Sequence, residues 1–286
     1  MSTFSPADLI LHPDGSIYHL NLRPEHIADT IIAVGDQNRV AEVSKFFDEV
    51  TFRINQREFV THTGTLRGKR ISVISTGIGT DNIEIFLTEL DALVNVDLQT
   101  RTVRPVHRSL DIIRIGTSGA ISEDIPVGTH LVSGTAIGFD NLMQFYTLEQ
   151  DSMEEEMGTA LQKHLGLPFA PYVVGCSEEL LKKVAFDMYR GHTVTAPGFY
   201  APQGRRIRIP VRFPELLKRL TTFTFQTGGG LTNFEMETAG YYALGRLLRH
   251  RVLSVNAIIA NRVRNEFAPH HAEVVENLIQ KVLSRL

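Results

Sequence analysis

The chain has 286 residues, a net charge of −3, 43% hydrophobic residues and one cysteine, Cys176. Such a composition belongs to an ordinary globular protein with a sizeable core. It excludes a disulfide framework within the chain, a cysteine-based zinc site and a large electrostatic footprint for nucleic acid. The start, MSTFSPADLILHPDG, lacks a basic head and a long apolar run, so no signal peptide is expected. No stretch approaches the roughly 20 apolar residues that span a membrane, and a cytoplasmic protein is the expectation. Without a linker or low-complexity stretch, one domain over residues 1–286 is expected.

In chain order, HPDG at His12 to Gly15 reads as a turn. Thr30–Val34 (TIIAV) is a short β-branched run that stops at Gly35-Asp36, with a helix expected over 38–47. The run 59–66 (FVTHTGTL) alternates and leads to Arg67-Gly68-Lys69, a hairpin turn. The run 71–75 (ISVIS) stops at Thr76-Gly77-Ile78-Gly79, before a helix expected over 81–96. DIIRI at 111–115 stops at Gly116-Thr117-Ser118-Gly119. A long β-rich stretch covers 128–139. VLSVNAII at 252–259 precedes Asn261-Arg262. The end, 271–286, carries Val274, Val275, Leu278, Ile279, Val282 and Leu283 on one helical stripe, which reads as a docked terminal helix. Short apolar runs alternating with helices predict an α/β fold with a mostly parallel central sheet.

In open α/β sheets, ligands bind beyond the carboxyl ends of the strands. Three runs end there in glycines. Glycine lets backbone approach a ligand and leaves N–H groups to meet an anion. None of these turns matches the spacing of an ATP phosphate loop or of a dinucleotide fold. Arg39 sits three residues past the first turn. Arg114 lies inside an apolar strand, where it needs either an anion or an internal carboxylate. Arg57 has no local feature. After the glycines at 228–230 comes NFEMETA, read as opening a helix that runs on through GYYALGRLL. Glu235 and Glu237 are then either complements of the helix dipole or acceptors for a sugar diol, with Met236 packing on the sugar. GFYAPQGRR at 198–206 is either a surface turn or a segment that stacks on and reads a flat base. No H-E-x-x-H and no G-x-S-x-G occurs, so neither a metalloprotease nor a hydrolase elbow is supported.

Taken in order, YHLNL, VGDQNRV, QREF, STGIG, RIGTSGAI, GFYAPQGRR, NFEMETA and ANR resemble the nucleoside phosphorylase family, which includes uridine phosphorylases and hexameric bacterial purine enzymes. The resemblance implies a three-layer α/β/α fold around a mixed, partly barrel-like sheet. It places Gly35, Arg39, Arg57, Arg114 and Thr117 at phosphate, with Arg57 reaching in from a neighbouring subunit. Met236 and Glu237 fall at the ribose, with His19 crossing from a neighbour to the 5′-hydroxyl. Gly119, Phe199, Gln203, Arg205 and Arg262 fall at the base. Arg114, Glu237, Gln203 and Arg205 are then the residues expected to carry catalysis.

A glutamine amide can donate to O2 of uracil and accept from N3–H, and an arginine can donate to O4. Purine enzymes of the family place a carboxylate near the base. Here Asn261-Arg262-Val263-Arg264 offers none before Glu266, which favours uridine over a purine. The implied activity is a transferase of pyrimidine salvage and nucleoside catabolism, cleaving uridine, with deoxyuridine or thymidine as further substrates. Inorganic phosphate is its co-substrate, with no cofactor and no metal, in a dimer-based homo-oligomer such as a hexamer. A purine nucleoside phosphorylase, a nucleosidase and a catalytically silent nucleoside-binding protein are the alternatives. Four departures stand out. Gln37 and Asn38 follow the Gly-Asp turn, Ser118 stands where threonine is common, Asn82 stands where a serine is usual near an interface cation, and 97–108 resembles an insertion.

Overall fold

The computed structural model describes residues 3–226 and 229–286. Gly228, the first of the three glycines before NFEMETA, lies outside the described residues. The chain divides into two compact units, Met1–Arg114 with Leu244–Val252 and Ile115–Ala243 with Leu253–Leu286.

The first unit is organised on β1 (Thr30–Val34), whose Ile31, Ile32, Ala33 and Val34 are fully buried. Burial on both faces explains why this run shows no polar alternation. Asp36 ends the strand and caps α1 (Gln37–Ser44), its carboxylate accepting the Asn38 N–H at 2.9 Å. Carboxylates suit this position because the first turn of a helix leaves its N–H groups unpaired. β2 (Glu49–Gln56), β3 (Phe59–Leu66) and β4 (Lys69–Ser75) form an antiparallel meander. The turn between β3 and β4 places Arg67 and Gly68 at φ 50° and 74°. Two left-handed residues match the twist of a tight hairpin, as the sequence led us to expect. β4 then runs parallel to β1.

α2 (Thr80–Asn95) follows, with Gly79 before it at φ 99°. The segment 97–108 is tied down rather than loose. It forms a small hairpin of β5 (Val96–Asp97) and β6 (Thr102–Val103). Asn95 also brackets its end, accepting the Arg108 N–H at 2.7 Å and donating to the Arg108 carbonyl at 3.1 Å.

β7 (Asp111–Ala120) pairs in parallel with β1 through Arg114 and then continues into the second unit. There it corrects the sequence reading, because Gly116 to Gly119 are strand and not turn. The strand persists because Gly119 and Ala120 find partners in Phe234 and Asn233. Such long-range pairing overrides the weak local propensity of glycine.

The second unit contains β8 (His130–Gly138), α3 (Ser152–Leu165), β9 (Tyr172–Gly175), α4 (Glu178–Val184), β10 (Tyr189–Thr195) and α5 (Leu216–Thr221). β11 (Asn233–Glu235), α6 (Thr238–Leu247), β12 (Arg251–Asn261), β13 (Glu266–Phe267) and α7 (His271–Leu283) follow. β10 lies between β8 and β11 and is parallel to both. β12 is antiparallel to β8 and to β13. The sheet pairing is therefore mixed, and the expectation of a mostly parallel sheet is corrected.

A second correction concerns NFEMETA. Its first three residues are β11, and the helix starts only at Thr238. Met157, Leu161 and Leu165 of α3, Leu216 and Leu220 of α5, and Val194 and Phe234 share one core. Each such side chain contributes about 1.5–3 kcal/mol on burial. α7 buries Val275, Leu278, Ile279, Val282 and Leu283, the stripe expected of a docked terminal helix. Cys176 is half-buried, and burial pushes its thiol up to about 11, which suits an inert small residue. Among the described residues no helix is long and apolar enough to cross a membrane.

Candidate active site

In the first unit, the glycine turns after β1 and β4 lie against each other. A Cβ on Gly35 would sit 3.4 Å from the Gly77 carbonyl. Gly77 itself has φ 71°, and a Cβ there would strike the Asn82 amide at 2.6 Å. Asn82 therefore packs directly on this turn. Its amide also donates to the Ile78 carbonyl at 3.3 Å.

Arg39 rises from the first turn of α1, and its Nε is buried without a hydrogen-bond partner among the described residues. Desolvation lowers its pKa, Glu42 and Asp36 oppose that shift, and the nearby Arg114 adds to it. Arg114 is itself only 5% exposed. Two desolvated guanidiniums that repel each other form a place that an anion stabilises.

Arg57 and His19 lie together in this unit, on either side of Tyr18. Arg57 is exposed in the turn between β2 and β3 at φ 51°, with its carbonyl held by the Gln37 amide at 2.6 Å. Its guanidinium lies 5.5 Å from the Tyr18 ring centroid, and that ring packs edge-on against His19 at 4.8 Å. Glu89 of α2 fixes this group from below. It accepts the backbone N–H groups of His19 and Leu20 and meets His19 Nδ1 at 2.6 Å. A carboxylate on Nδ1 sets the ring's orientation.

In the second unit, Gln203 is 4% exposed on a short turn of 3-10 helix, Ala201–Gln203. Its Oε1 accepts from Arg205 at 2.6 Å, and its backbone carbonyl accepts from Arg262 at 3.1 Å. The Arg205 guanidinium stacks 3.7 Å above the Phe199 ring and donates to the Phe199 carbonyl at 2.6 Å. Desolvation, reinforced by Arg262, lowers Arg205 to about 10, and desolvation lowers Arg262 as well. Both guanidiniums remain charged at any physiological pH. A second pair of arginines is held partly dry and close together. Gly119 faces the same group, because a Cβ on it would lie 3.7 Å from Arg262 Cγ and 3.9 Å from Ala260 Cβ.

Glu237 is 6% exposed just before α6, with Met236 half-buried beside it. Thr117 is half-buried on β7. Glu235, for which the sequence left two readings, acts as the complement of the helix terminus. Its Oε2 accepts the backbone N–H groups of Glu237 at 2.9 Å and Thr238 at 2.8 Å.

Among the described residues, one cluster has metal-ligating types: Asp91, His107 and His250, in the first unit. His250 Nδ1 accepts the Leu110 N–H at 3.2 Å, so the ring proton sits on Nε2 and faces Asp91 at 3.3 Å.

With this geometry in place, comparison with known proteins identifies the family. Residues 29–286 match the phosphorylase superfamily. The chain belongs to that superfamily. Among its relatives, a uridine phosphorylase of Thermococcus kodakarensis is 31% identical over 254 residues, covering 89% of this chain and 80% of the relative. A DeoD-type purine nucleoside phosphorylase of Bacillus cereus is 28% identical over 241 residues, covering 83% of each. A solved Trypanosoma brucei nucleoside phosphorylase, described as showing uridine phosphorylase activity, superposes with a TM-score of 0.86 at 28% identity. It covers 98% of this chain and 100% of that one. The family expected from the eight motifs is the family found, and so is the α/β fold with a central mixed, partly barrel-like sheet.

Two buried hydrogen-bond networks around β10 and β11 carry no mark in the sequence. Thr195 Oγ donates to Glu235 Oε1 at 2.5 Å and accepts the Ala239 N–H at 2.9 Å. Thr193 Oγ donates to Asn233 at 2.9 Å, whose amide donates to Ser118 Oγ at 3.0 Å. These threonines look like ordinary strand residues. Their signal is the parallel register of β10 and β11, which sets Thr193 beside Asn233 and Thr195 beside Glu235.

Proposed function

We propose that this member of the superfamily is a uridine phosphorylase, converting uridine and phosphate reversibly to uracil and ribose 1-phosphate. The observation that carries the base assignment is the Gln203–Arg205–Arg262 group beside Phe199. It offers amide and guanidinium donors to carbonyl oxygens and no carboxylate to protonate a purine. The 31% identical relative named as a uridine phosphorylase supports the same base.

In this reading, Arg39 and Arg114 hold phosphate with Gly35 and Thr117, and Arg57 and His19 are lent to a neighbouring subunit. Phosphate oxygen attacks C1′ of the ribose while the bond from C1′ to N1 breaks. The electron pair leaves with uracil. Glu237 holds the ribose hydroxyls as the ring becomes cation-like, with Met236 against its apolar face. Arg205 and Arg262 stabilise negative charge developing on the departing base. Because Arg205 occupies both Gln203 Oε1 and the face of Phe199, the base is admitted by exchanging those contacts. Orientation of the attacking ion supplies much of the rate, up to roughly 7–11 kcal/mol in ideal cases. The chemistry requires no cofactor, a dimer-based hexamer in the cytoplasm is the expected setting, and pyrimidine salvage is the context.

The test is uracil release from uridine with and without phosphate, alongside thymidine, inosine and adenosine. We expect release that depends on phosphate and a preference for uridine. Equal release without phosphate would identify a nucleosidase, preference for inosine or adenosine a purine enzyme, and tight binding without turnover a silent binder.

A further inference from the structure

We propose that Glu235 is a positioning residue that sets Glu237, and that Thr195 is its anchor. The inference rests on the reading of the chain as a uridine phosphorylase, in which Glu237 holds the ribose hydroxyls.

The end of β11 meets the start of α6 with a buried carboxylate between them. Glu235 is 4% exposed, and both of its oxygens are engaged. Oε1 takes the Thr195 hydroxyl at 2.5 Å, and Oε2 takes the N–H groups of Glu237 and Thr238 at 2.9 and 2.8 Å. Thr195 then accepts the N–H of Ala239 at 2.9 Å. Consecutive amides at residues 237, 238 and 239 are thus held by one carboxylate and one hydroxyl. These are the N–H groups that a helix start leaves without internal partners. A negative charge is favoured there by the helix dipole.

The consequence reaches past helix capping, because one of the three amides is Glu237's own. The backbone that bears the ribose carboxylate is pinned to Glu235, and Glu235 is pinned to β10. β10 and β11 pair in parallel at Thr195 and Glu235, so the anchor is part of the sheet. The second glutamate can then be placed with the precision of a strand instead of a loop, which is what a site holding a reacting sugar needs. Two neighbouring carboxylates in NFEMETA therefore divide the work. Glu237 meets the sugar, and Glu235 keeps it in place.

The experiment compares uridine with 2′-deoxyuridine in the full-length protein, using Glu235→Gln, Thr195→Val and Thr195→Ser. Deoxyuridine lacks one hydroxyl for Glu237 and has less to lose when Glu237 shifts. Displacements of this kind lower rates by about 10- to 100-fold. We expect Glu235→Gln and Thr195→Val to lower kcat/KM for uridine in that range, to lower it less for deoxyuridine, and to leave the KM for phosphate unchanged. Thr195→Ser keeps the hydroxyl and should restore the wild-type ratio between the substrates. Adding Glu235→Gln to Glu237→Gln should lower activity no further than Glu237→Gln alone.

Equal losses on both nucleosides, or losses that multiply in the double variant, would overturn the inference and leave a helix cap. If Glu235→Gln fails to fold, Thr195→Val decides by the same substrate ratio. A wild-type protein that releases no uracil from uridine with phosphate would overturn the functional reading and this inference with it.

Discussion

The two pairs of arginines differ in what holds them. Arg39 and Arg114 stand on regular elements, one in the first turn of α1 and the other inside β7. Arg205 lies in irregular chain just past a three-residue helical turn, and Arg262 just past the end of β12. The first pair is set by backbone hydrogen bonds shared with the core. In the second the backbone is tied as well, Arg205 N–H to the Tyr200 carbonyl at 2.9 Å and Arg262 N–H to the Ala120 carbonyl at 2.8 Å, but the guanidiniums themselves are placed by the Gln203 turn and the Phe199 ring. An ion common to every reaction of a family suits a rigid holder, and a base that varies between relatives suits contacts that change without disturbing a strand.

The largest test of that contrast is Arg114→Ala. Loss of a buried cation facing charge in the transition state lowers rates by roughly 100- to 1000-fold. We expect that loss on every nucleoside accepted, with a raised KM for phosphate, measured by steady-state kinetics at varied phosphate. A loss confined to uridine would break the division between the two pairs. Gln203→Ala comes next. We expect about a 100-fold fall in kcat/KM for uridine, an unchanged KM for phosphate and a melting temperature close to wild type. A large drop in melting temperature would show that Gln203 belongs to the scaffold. Phe199→Ala has the smallest expected effect. Its ring is 49% exposed, so stability should hardly change. Lost stacking should raise the KM for uridine by no more than about 10-fold, read against an unchanged kcat.

Legibility in the sequence followed the range of the forces involved. β1, the β3–β4 turn, α2 and α7 were readable because their signals are local: an apolar run, two turn residues, a 3.6-residue stripe. β7 was cut short at Gly116 because glycine is a turn residue when read alone, and pairing with the distant strands β11 and β12 keeps it extended. β11 was taken for helix because three residues are too few to display a period of two. β12 was read into a parallel sheet because strand direction is set by partners far along the chain.

The candidate site divided in the same way. Arg114 stood out as a charge within an apolar run. Arg57 did not, since nothing local marks a residue whose contacts are with Tyr18 and Gln37. Thr195 and Thr193 were invisible for a like reason, each being polar, buried and explained by a residue 40 positions away.

Gly119 has a consequence of its own. It is not in the left-handed region, and a Cβ added there would meet Arg262 and Ala260 at ordinary contact distance. An alanine could therefore be accepted with the strand unmoved, lining the wall with one more methyl. The breadth of substrates this scaffold accepts is thus adjustable in increments of a single carbon. On the proposed reading, in which Gly119 lines the base pocket, a single added carbon there would narrow the wall without strain on the strand.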